Sequence, residues 1–405
     1  MKLKLGNNSI TAREKNIAVI IKLLNKYGVC SRANLAKETG LTQASITYIT
    51  KELIDLEVIR EIGSIESASK HPAIGLSINP LKYALLGIQI NRDYINVGFF
   101  TLAGELICKE SLRYEKPEHP SFMIDDLLTT IQDILPHLPE NTELIGGGVA
   151  LPGPFMPSKG KIELMSGSPG WSEIDISGKL SKVLDIPFVL EHDANCGALS
   201  ELWTGNVDTA KDILYVNIAD GIGAGLICNG KLHRGHMGPA GEIGHMCLNF
   251  NGPRCECGNR GCLEIYCSLK KLKRDYEEIV FEKGYEASED ITADDILLLA
   301  AEKDEVACQA LEKSAAYLGI GLANMVNIMN PGTIILADRF SKAGDTLVEM
   351  TAKHMNKFLL KSLSENVEIR LPSESCDTTI MHGATIAVLE KLLKNPTQTF
   401  RKSRI

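Results

Sequence analysis

The sequence predicts an α/β protein in two parts: a small basic head of helices with a hairpin, and a larger acidic body of two β-rich lobes facing a cleft. Three observations predict it. The chain of 405 residues is too long for one ordinary domain, and its 44 % hydrophobic and 23 % charged residues lie near the globular average. Charge is unevenly spread: residues 1–72 hold 11 Lys and Arg against 7 Asp and Glu, the remainder 32 against 44, within a net charge of −8. Any nucleic-acid contact is therefore expected at the N-terminus. From residue 83 onward, helical periodicity gives way to buried strands that end in glycine-rich or acidic turns.

In the head, residues 14–27 place Ile17, Ile20, Ile21 and Leu24 at helical spacing, and Gly28 stops the helix. Ser31 is placed to cap a second helix carrying Leu35 and Ala36, Gly40 to make a tight turn, and Thr42 to cap a third. There Ile46, Ile49 and Leu53 form the buried stripe, which leaves Gln43, Ala44, Thr47, Tyr48 and Lys51 facing away. Two short helices joined through a glycine turn fit a helix-turn-helix, whose second helix enters the major groove of double-stranded DNA. Gln43 suits an adenine edge, Thr47 a thymine methyl or a phosphate, and Lys51 a phosphate. Residues 58–65 are expected to fold as a short hairpin wing, followed by the basic tip Ser69-Lys70-His71-Pro72. A plain helical bundle over 14–60 is the competing reading, and the turn, the charge and the wing together disfavour it.

In the body, residues 83–112 read as a β-hairpin plus a third strand, with Ala103-Gly104 in a turn. A helix at 121–135 precedes a strand running into the glycine–proline loop GVALPGP. The stretches IPFVLEHDAN and DILYVNIADGIGAGLICNG repeat the theme, and a helix at 306–329 leads through Pro331-Gly332 into TIILAD. Strands alternating with helices around glycine-rich turns predict two α/β lobes and an intervening cleft.

Eleven cysteines without an export signal are expected to be reduced thiols with one local metal cluster. Cys255, Cys257 and Cys262 form a Cys-x-Cys-x4-Cys run among glycines, able to meet one tetrahedral ion. His245 is the natural fourth ligand, with Cys247 and Cys267 as competitors. Four protein ligands would make one structural Zn2+ per chain, with no open position for water. No apolar run approaches the roughly 18 to 20 residues of a membrane span. Met1–Leu5 leads into no signal-peptide core, so a cytoplasmic location is expected.

These stretches resemble the ROK family of repressors, open reading frames and sugar kinases, in particular its xylose-repressor-like transcriptional branch. The resemblance spans roughly residues 13 to 390, most specifically at GPAGEIGHM (238–246) and CECGNRGCLE (255–264). It implies an actin-like, hexokinase-type (ribonuclease H-like) body behind the winged helix-turn-helix. The implied domains are a head at 1–75, a first lobe at 82–192 completed by a C-terminal helix at about 381–395, and a second lobe at 193–380. It also implies zinc ligands at His245, Cys255, Cys257 and Cys262. Asp193 sits where the family's kinases keep the carboxylate that deprotonates the sugar hydroxyl, and Glu242, His245 and Glu264 where sugar hydroxyls are held. His192 stands where the kinases usually carry Asn.

The phosphate side departs from the kinases. Their Asp-x-Gly-Gly-Thr loop reads Gln89-Ile90-Asn91-Arg92-Asp93 here, and their Gly-Thr-Gly-x-Gly loop reads Ala219-Asp220-Gly221-Ile222-Gly223. A late glycine pair reads Asp338-Arg339. Carboxylates where a triphosphate would lie argue against phosphoryl transfer. The expectation is therefore not an enzyme but a sugar-responsive DNA-binding regulator, by resemblance a repressor of carbohydrate-utilisation genes, acting as a homodimer or tetramer on an operator. The alternative is an ATP-dependent sugar kinase with an extra DNA-binding head. Xylose, glucose, N-acetylated amino sugars and phosphosugars all suit the pocket, with Arg234 and Lys231 nearby for a phosphate. A protein partner at the zinc loop has no recognisable docking surface in the sequence. Relatives read a minor groove with a Gly-Arg-x-Pro wing, where Lys70 here substitutes for the arginine.

Overall fold

A computed structural model describes residues 9–402 apart from 66–71, 115–118, 154, 157–160, 163–169, 205–210, 237, 239, 287, 289, 365 and 374–375. Lys70 and the basic tip around it lie outside the described residues. The head comprises α1 (Ser9–Tyr27), the short strand β1 (Cys30–Ser31), α2 (Arg32–Thr39), α3 (Gln43–Asp55), β2 (Ile59–Ile65) and β3 (Ala73–Ile78). Ser31 Oγ accepts the Asn34 amide at 3.1 Å and Thr42 Oγ1 the Ser45 amide at 3.2 Å, so each hydroxyl satisfies an otherwise orphaned helix donor. Gly40 ends α2 at φ 69°, a left-handed backbone that an L side chain resists.

The wing differs from the expected hairpin over 58–65. Those residues supply one strand, β2, whose antiparallel partner is β3. The register slips between Glu61 and Ser64, so Gly63 serves a bulge and the chain does not reverse there.

Two five-stranded sheets form the body. In the first, β4 (Tyr83–Ile90), β5 (Tyr94–Thr101) and β6 (Leu106–Arg113) make an antiparallel meander, extended in parallel beyond β4 by β7 (Glu143–Leu151) and β10 (Phe188–His192). The helices α4 (Pro120–Ile134) and α5 (Ile176–Ser181) cover it, with a minimal pair β8 (Phe155–Met156) and β9 (Lys161–Ile162) between them in sequence. The second sheet repeats this plan with β11 (Ile213–Ile218), β12 (Ile222–Cys228) and β13 (Lys231–Leu232), extended by β14 (Thr333–Ala337) and β15 (Glu368–Arg370). Each sheet has the order 3-2-1-4-5 when counted from its own first strand. Every residue of β4, β11 and β14 is buried, which is why these strands read as continuous apolar runs.

The second lobe carries α7 (Leu263–Tyr266), α8 (Leu269–Glu282), α9 (Ala293–Ala301), α10 (Glu305–Met329), α11 (Asp345–Met355) and α12 (Lys361–Ser364). Between the lobes run α6 (Asp193–Trp203) and α13 (Cys376–Leu392), packed so closely that a Cβ on Gly383 would stand 1.7 Å from the Cys196 carbonyl oxygen. A final helix, α14 (Pro396–Lys402), returns to the head. One apolar core joins Ile20, Leu24, Ile46 and Leu53 of the head to Tyr83, Leu85 and Ile145 of the first lobe, Leu389 of α13 and Phe400 of α14. Each such buried side chain contributes about 1.5–3 kcal/mol, so the head is fused to the first lobe.

Candidate functional site

The strand ends converge on the cleft. Asp193 opens α6 directly after β10, Glu242 precedes the single turn at 243–245 that carries His245, and Glu264 sits in α7. These four line one cavity of about 90 Å3 with His192 and Asn217. The Asp193 carboxylate accepts the Ala194 amide at 2.6 Å, at the positive end of α6. His192 Nε2 lies 3.4 Å from Asp193 Oδ1 and 3.9 Å from Glu242 Oε1. Burial holds the Glu242 carboxyl above its usual range, while His192 and His245 pull the other way.

Four buried polar atoms at this cavity have no hydrogen-bond partner among the described residues: His192 Nδ1, Glu242 Oε1, and both Nδ2 and Oδ1 of Asn217. Each such atom costs about 1–3 kcal/mol while it stays dry, so a polyhydroxyl ligand with matched donors and acceptors is favoured there. Sequence reasoning missed Asn217. Its signal is a lone amide in the apolar run Ile213–Ile218, 4 % exposed on a strand that gives it no partner.

Beside the cleft, one ligand atom each from His245, Cys255, Cys257 and Cys262 falls within 4.8 Å of the others. Cys257 and Cys262 sulfurs stand 3.8 Å apart, as do Cys255 Sγ and His245 Nδ1. Tetrahedral zinc with Zn–S of about 2.3 Å has an S···S edge near 3.8 Å, so the four donors fit that ion and the sulfurs are too far apart for a disulfide. Burial pushes the Cys255 and Cys262 thiols up, Cys262 to about 11, so thiolates there call for a cation. Cys247 is exposed and Cys267 is buried with its thiol on the Leu263 carbonyl, and neither joins the group. Glu264 Oε1 touches cluster and cleft together, 3.1 Å from Cys255 Sγ and 3.4 Å from His245 Nδ1.

On the opposite side, the departures from a phosphate site are built into the packing. Gln89 is buried, donating to the Tyr94 hydroxyl (3.0 Å) and accepting from Asn96 Nδ2 (3.1 Å). Arg92 and Asp93 from the first lobe meet Asp220, Asp338 and Arg339 from the second. Asp338 keeps a backbone reserved for glycine, φ 63° and ψ −154°, at a strain of about 1–3 kcal/mol. Arg234 lies outside this cavity, held 2.7 Å from the buried Glu191 carboxylate, and Lys231 is exposed on β13.

In the head, Gln43, Ala44, Thr47, Tyr48 and Lys51 all lie exposed along α3, opposite buried Ile46, Ile49 and Leu53. The Thr47 hydroxyl donates to the Gln43 carbonyl at 2.9 Å. Behind them, Glu52 accepts from Arg13 and, at 3.1 Å, from Arg401 of α14.

The sequence profile of the ROK family matches residues 85–391. The xylose repressor of Bacillus subtilis (strain 168) is 29 % identical over 382 residues, which cover 94 % of this chain and 96 % of the repressor. A glucokinase of Halalkalibacterium halodurans is 29 % identical over 307 residues, 74 % of this chain and 93 % of the kinase. The crystal structure of a ROK family transcriptional regulator, a homologue of the E. coli MLC protein, superposes with a TM-score of 0.78 at 24 % identity, over 96 % of this chain and 100 % of that one. That likeness speaks to the fold, head included.

Proposed function

The chain belongs to the ROK family, and on that premise we propose that it is a sugar-responsive DNA-binding regulator, a repressor of carbohydrate-utilisation genes released when a sugar enters the inter-lobe cleft. The observation that carries the reading is the contrast within one cavity. Its sugar side holds buried polar atoms of His192, Asn217 and Glu242 without partners among the described residues, and its phosphate side is lined by Arg92, Asp220 and Arg339. Asp193, Glu242 and Glu264 accept from vicinal hydroxyls, and Asn217 donates and accepts. Phosphoryl transfer is not part of this function, because Gln89 is locked in neutral hydrogen bonds and three carboxylates, Asp93, Asp220 and Asp338, line the space a triphosphate would need.

When bound, Zn2+ at His245, Cys255, Cys257 and Cys262 supplies structural closure of the loop that carries two walls of the sugar site. His245 and Glu264 stand at either end of that loop, so its closure fixes both.

Helix α6 links site to head. Asp193 lies in its first turn and Trp203 in its last, under Lys22 of α1 at 5.0 Å from the ring centroid. Eleven residues make a rod of about 16 Å. Lys22 also reaches Glu390 of α13, at 3.3 Å, so both inter-lobe helices end on the head. A sugar that binds the closed cleft more tightly than the open one shifts the lobes, and with them the spacing of two heads in a homodimer or tetramer on operator half-sites. We place the head at 1–78, so that β3 stays whole, the first lobe at 82–192 completed by the C-terminal helix α13, and the second lobe between α6 and α13, in a cytoplasmic protein. No helix among the described residues is long and apolar enough to cross a membrane.

A mobility shift on the DNA upstream of its own gene, with D-xylose, D-glucose, N-acetyl-D-glucosamine and their phosphates added singly, tests this. Retardation relieved by one sugar is expected. Absent retardation together with sugar-dependent ADP release from ATP would overturn the reading in favour of a kinase.

A further inference from the structure

We propose that the rim of the cleft opposite the sugar carboxylates is a cross-lobe ion-pair clasp, Arg92 with Asp220 and Asp93 with Arg339, which holds the two lobes in register without any nucleotide. Its effect on sugar binding rests on the regulator reading, whereas its existence does not.

The repeated topology puts equivalent turns face to face. Arg92 and Asp93 occupy the first hairpin turn of the first lobe, between β4 and β5, and Asp220 the matching turn of the second, between β11 and β12. Arg339 follows β14, the strand paired in parallel with β11, so Asp220 and Arg339 emerge side by side. Neighbours of opposite sign on one lobe therefore meet neighbours of opposite sign on the other. Arg92 Nη1 stands 3.9 Å from Asp220 Oδ2, and Arg339 Nη1 stands 3.7 Å from Asp93 Oδ2. Straight opening of the cleft parts both pairs together, and a slip that mates like charges is repelled.

The second-lobe arm is braced. Arg339 Nε donates to Asp294 of α9 at 2.9 Å, and Lys342 fixes the same carboxylate at 2.6 Å. The glycine-like backbone of Asp338 aims this arm into the cleft. Arg92 is only 16 % exposed, so its charge sits between low-dielectric walls where attraction outlasts screening. Both separations exceed hydrogen-bond length, and further closure has room to shorten them. Clasp and sugar residues line the same cavity, so closure driven from one end engages the other.

Hydrogen–deuterium exchange of the full-length protein tests the clasp. Asp220→Asn is expected to speed exchange about three- to tenfold at residues 91–94 on the opposite lobe, and Arg92→Gln to do the same at 219–223. The charge swap Arg92→Asp with Asp220→Arg should bring the rates part of the way back toward wild type, because the new arginine lies beside Arg339. Wild-type protein at about 0.5 M NaCl should move only part of the way toward the variants, through the more exposed Asp93–Arg339 pair. Faster exchange confined to the mutated loop, or no change in either variant, overturns the proposal. Calorimetry with D-xylose, D-glucose and N-acetyl-D-glucosamine supplies the second readout. Arg92→Gln should weaken whichever sugar binds wild type by about three- to tenfold, and unchanged affinity also counts against the clasp. Wild-type protein that binds none of these sugars counts against the sugar reading alone, and the exchange data then decide the clasp.

Discussion

Replacing Asn217 by leucine separates ligand recognition from stability by the sign of each effect. In the ligand-free protein both side-chain polar atoms of Asn217 are buried without a partner among the described residues. Leaving such atoms dry costs about 1–3 kcal/mol per group, and leucine, branched at the same carbon, removes both. Water ordered in a cavity of about 90 Å3 offsets part of that penalty, so a net stabilisation of about 1–2 kcal/mol is expected. Sugar binding moves the other way. Two lost hydrogen bonds at about 0.5–1.5 kcal/mol each correspond to roughly five- to 150-fold weaker affinity. Operator binding without sugar should stay at wild-type strength, because no residue of α3 lines the cavity that holds Asn217. Urea unfolding of the ligand-free variant, calorimetric sugar titration and a mobility shift read the three quantities. Destabilisation by more than about 1 kcal/mol, or full relief of retardation at the wild-type sugar concentration, would refute the assignment of Asn217 to the ligand.

Cys257→Ser should drop bound zinc from one per chain toward none by elemental analysis and lower the melting temperature, since the 245–262 loop loses its closure; a full zinc complement would show that the four donors are wrongly grouped. Gln43→Ala should abolish discrimination between operator and random DNA while leaving salt-dependent non-specific binding, and equal loss on both would refute base reading. Burial lowers the pKa of His382 to about 4, with Ser200 Oγ 2.9 Å from Nδ1. Between pH 6.5 and about 4 the unfolded chain takes up a proton that the folded one refuses, so stability present at neutral pH falls with pH by up to roughly 3 kcal/mol. His382→Gln should flatten the melting temperature between pH 7 and pH 5, and an unchanged slope would count against it.

Much of this was legible because local chemistry decided it. Ser31, Gly40 and Thr42 act through bonds that close within three or four residues, so caps and turn are readable from spacing alone. The wing misled because Gly63 is compatible with a turn or a bulge, and the choice was made by β3, ten residues away. Resemblance brought Asp193, Glu242, His245 and Glu264 to notice, and they do share one cavity. Asn217 escaped because nothing near it in sequence reveals that its strand leaves the amide unpartnered. The departures at Arg92, Asp220 and Arg339 were visible singly as losses from a phosphate site. Their complementarity is a property of two lobes brought face to face, and no spacing along one chain encodes it. Helix α14 escaped likewise: seven residues with a single large apolar side chain carry almost no periodic signal, yet Phe400 is fully buried against Tyr83, with ring centroids 5.1 Å apart.

That buried Phe400 bears on how a sugar reaches DNA. The Tyr83 hydroxyl lies 3.0 Å from the Leu56 carbonyl oxygen behind α3 and 3.3 Å from that of Phe400, so the head, the first strand of the body and the chain end meet at one point. A head joined through a shared core cannot reorient by loosening a linker, because separation would expose that whole core at about 25 cal/mol per Å2. It moves with the first lobe as a body. The variable that remains is the angle between that body and the second lobe. The elements that set this angle are α6 and α13, in backbone contact at Gly383, and, on the proposal above, the clasp at the cleft rim. Asp193 stands at the cleft end of α6 and Trp203 at its head end, so a sugar held at the proposed site would act on the same rod that bears on α1. On that proposal the signal is a rotation of two rigid parts. Its size is bounded by the difference between the sugar's affinities for the open and closed cleft, and not by the stability of any single contact along the way.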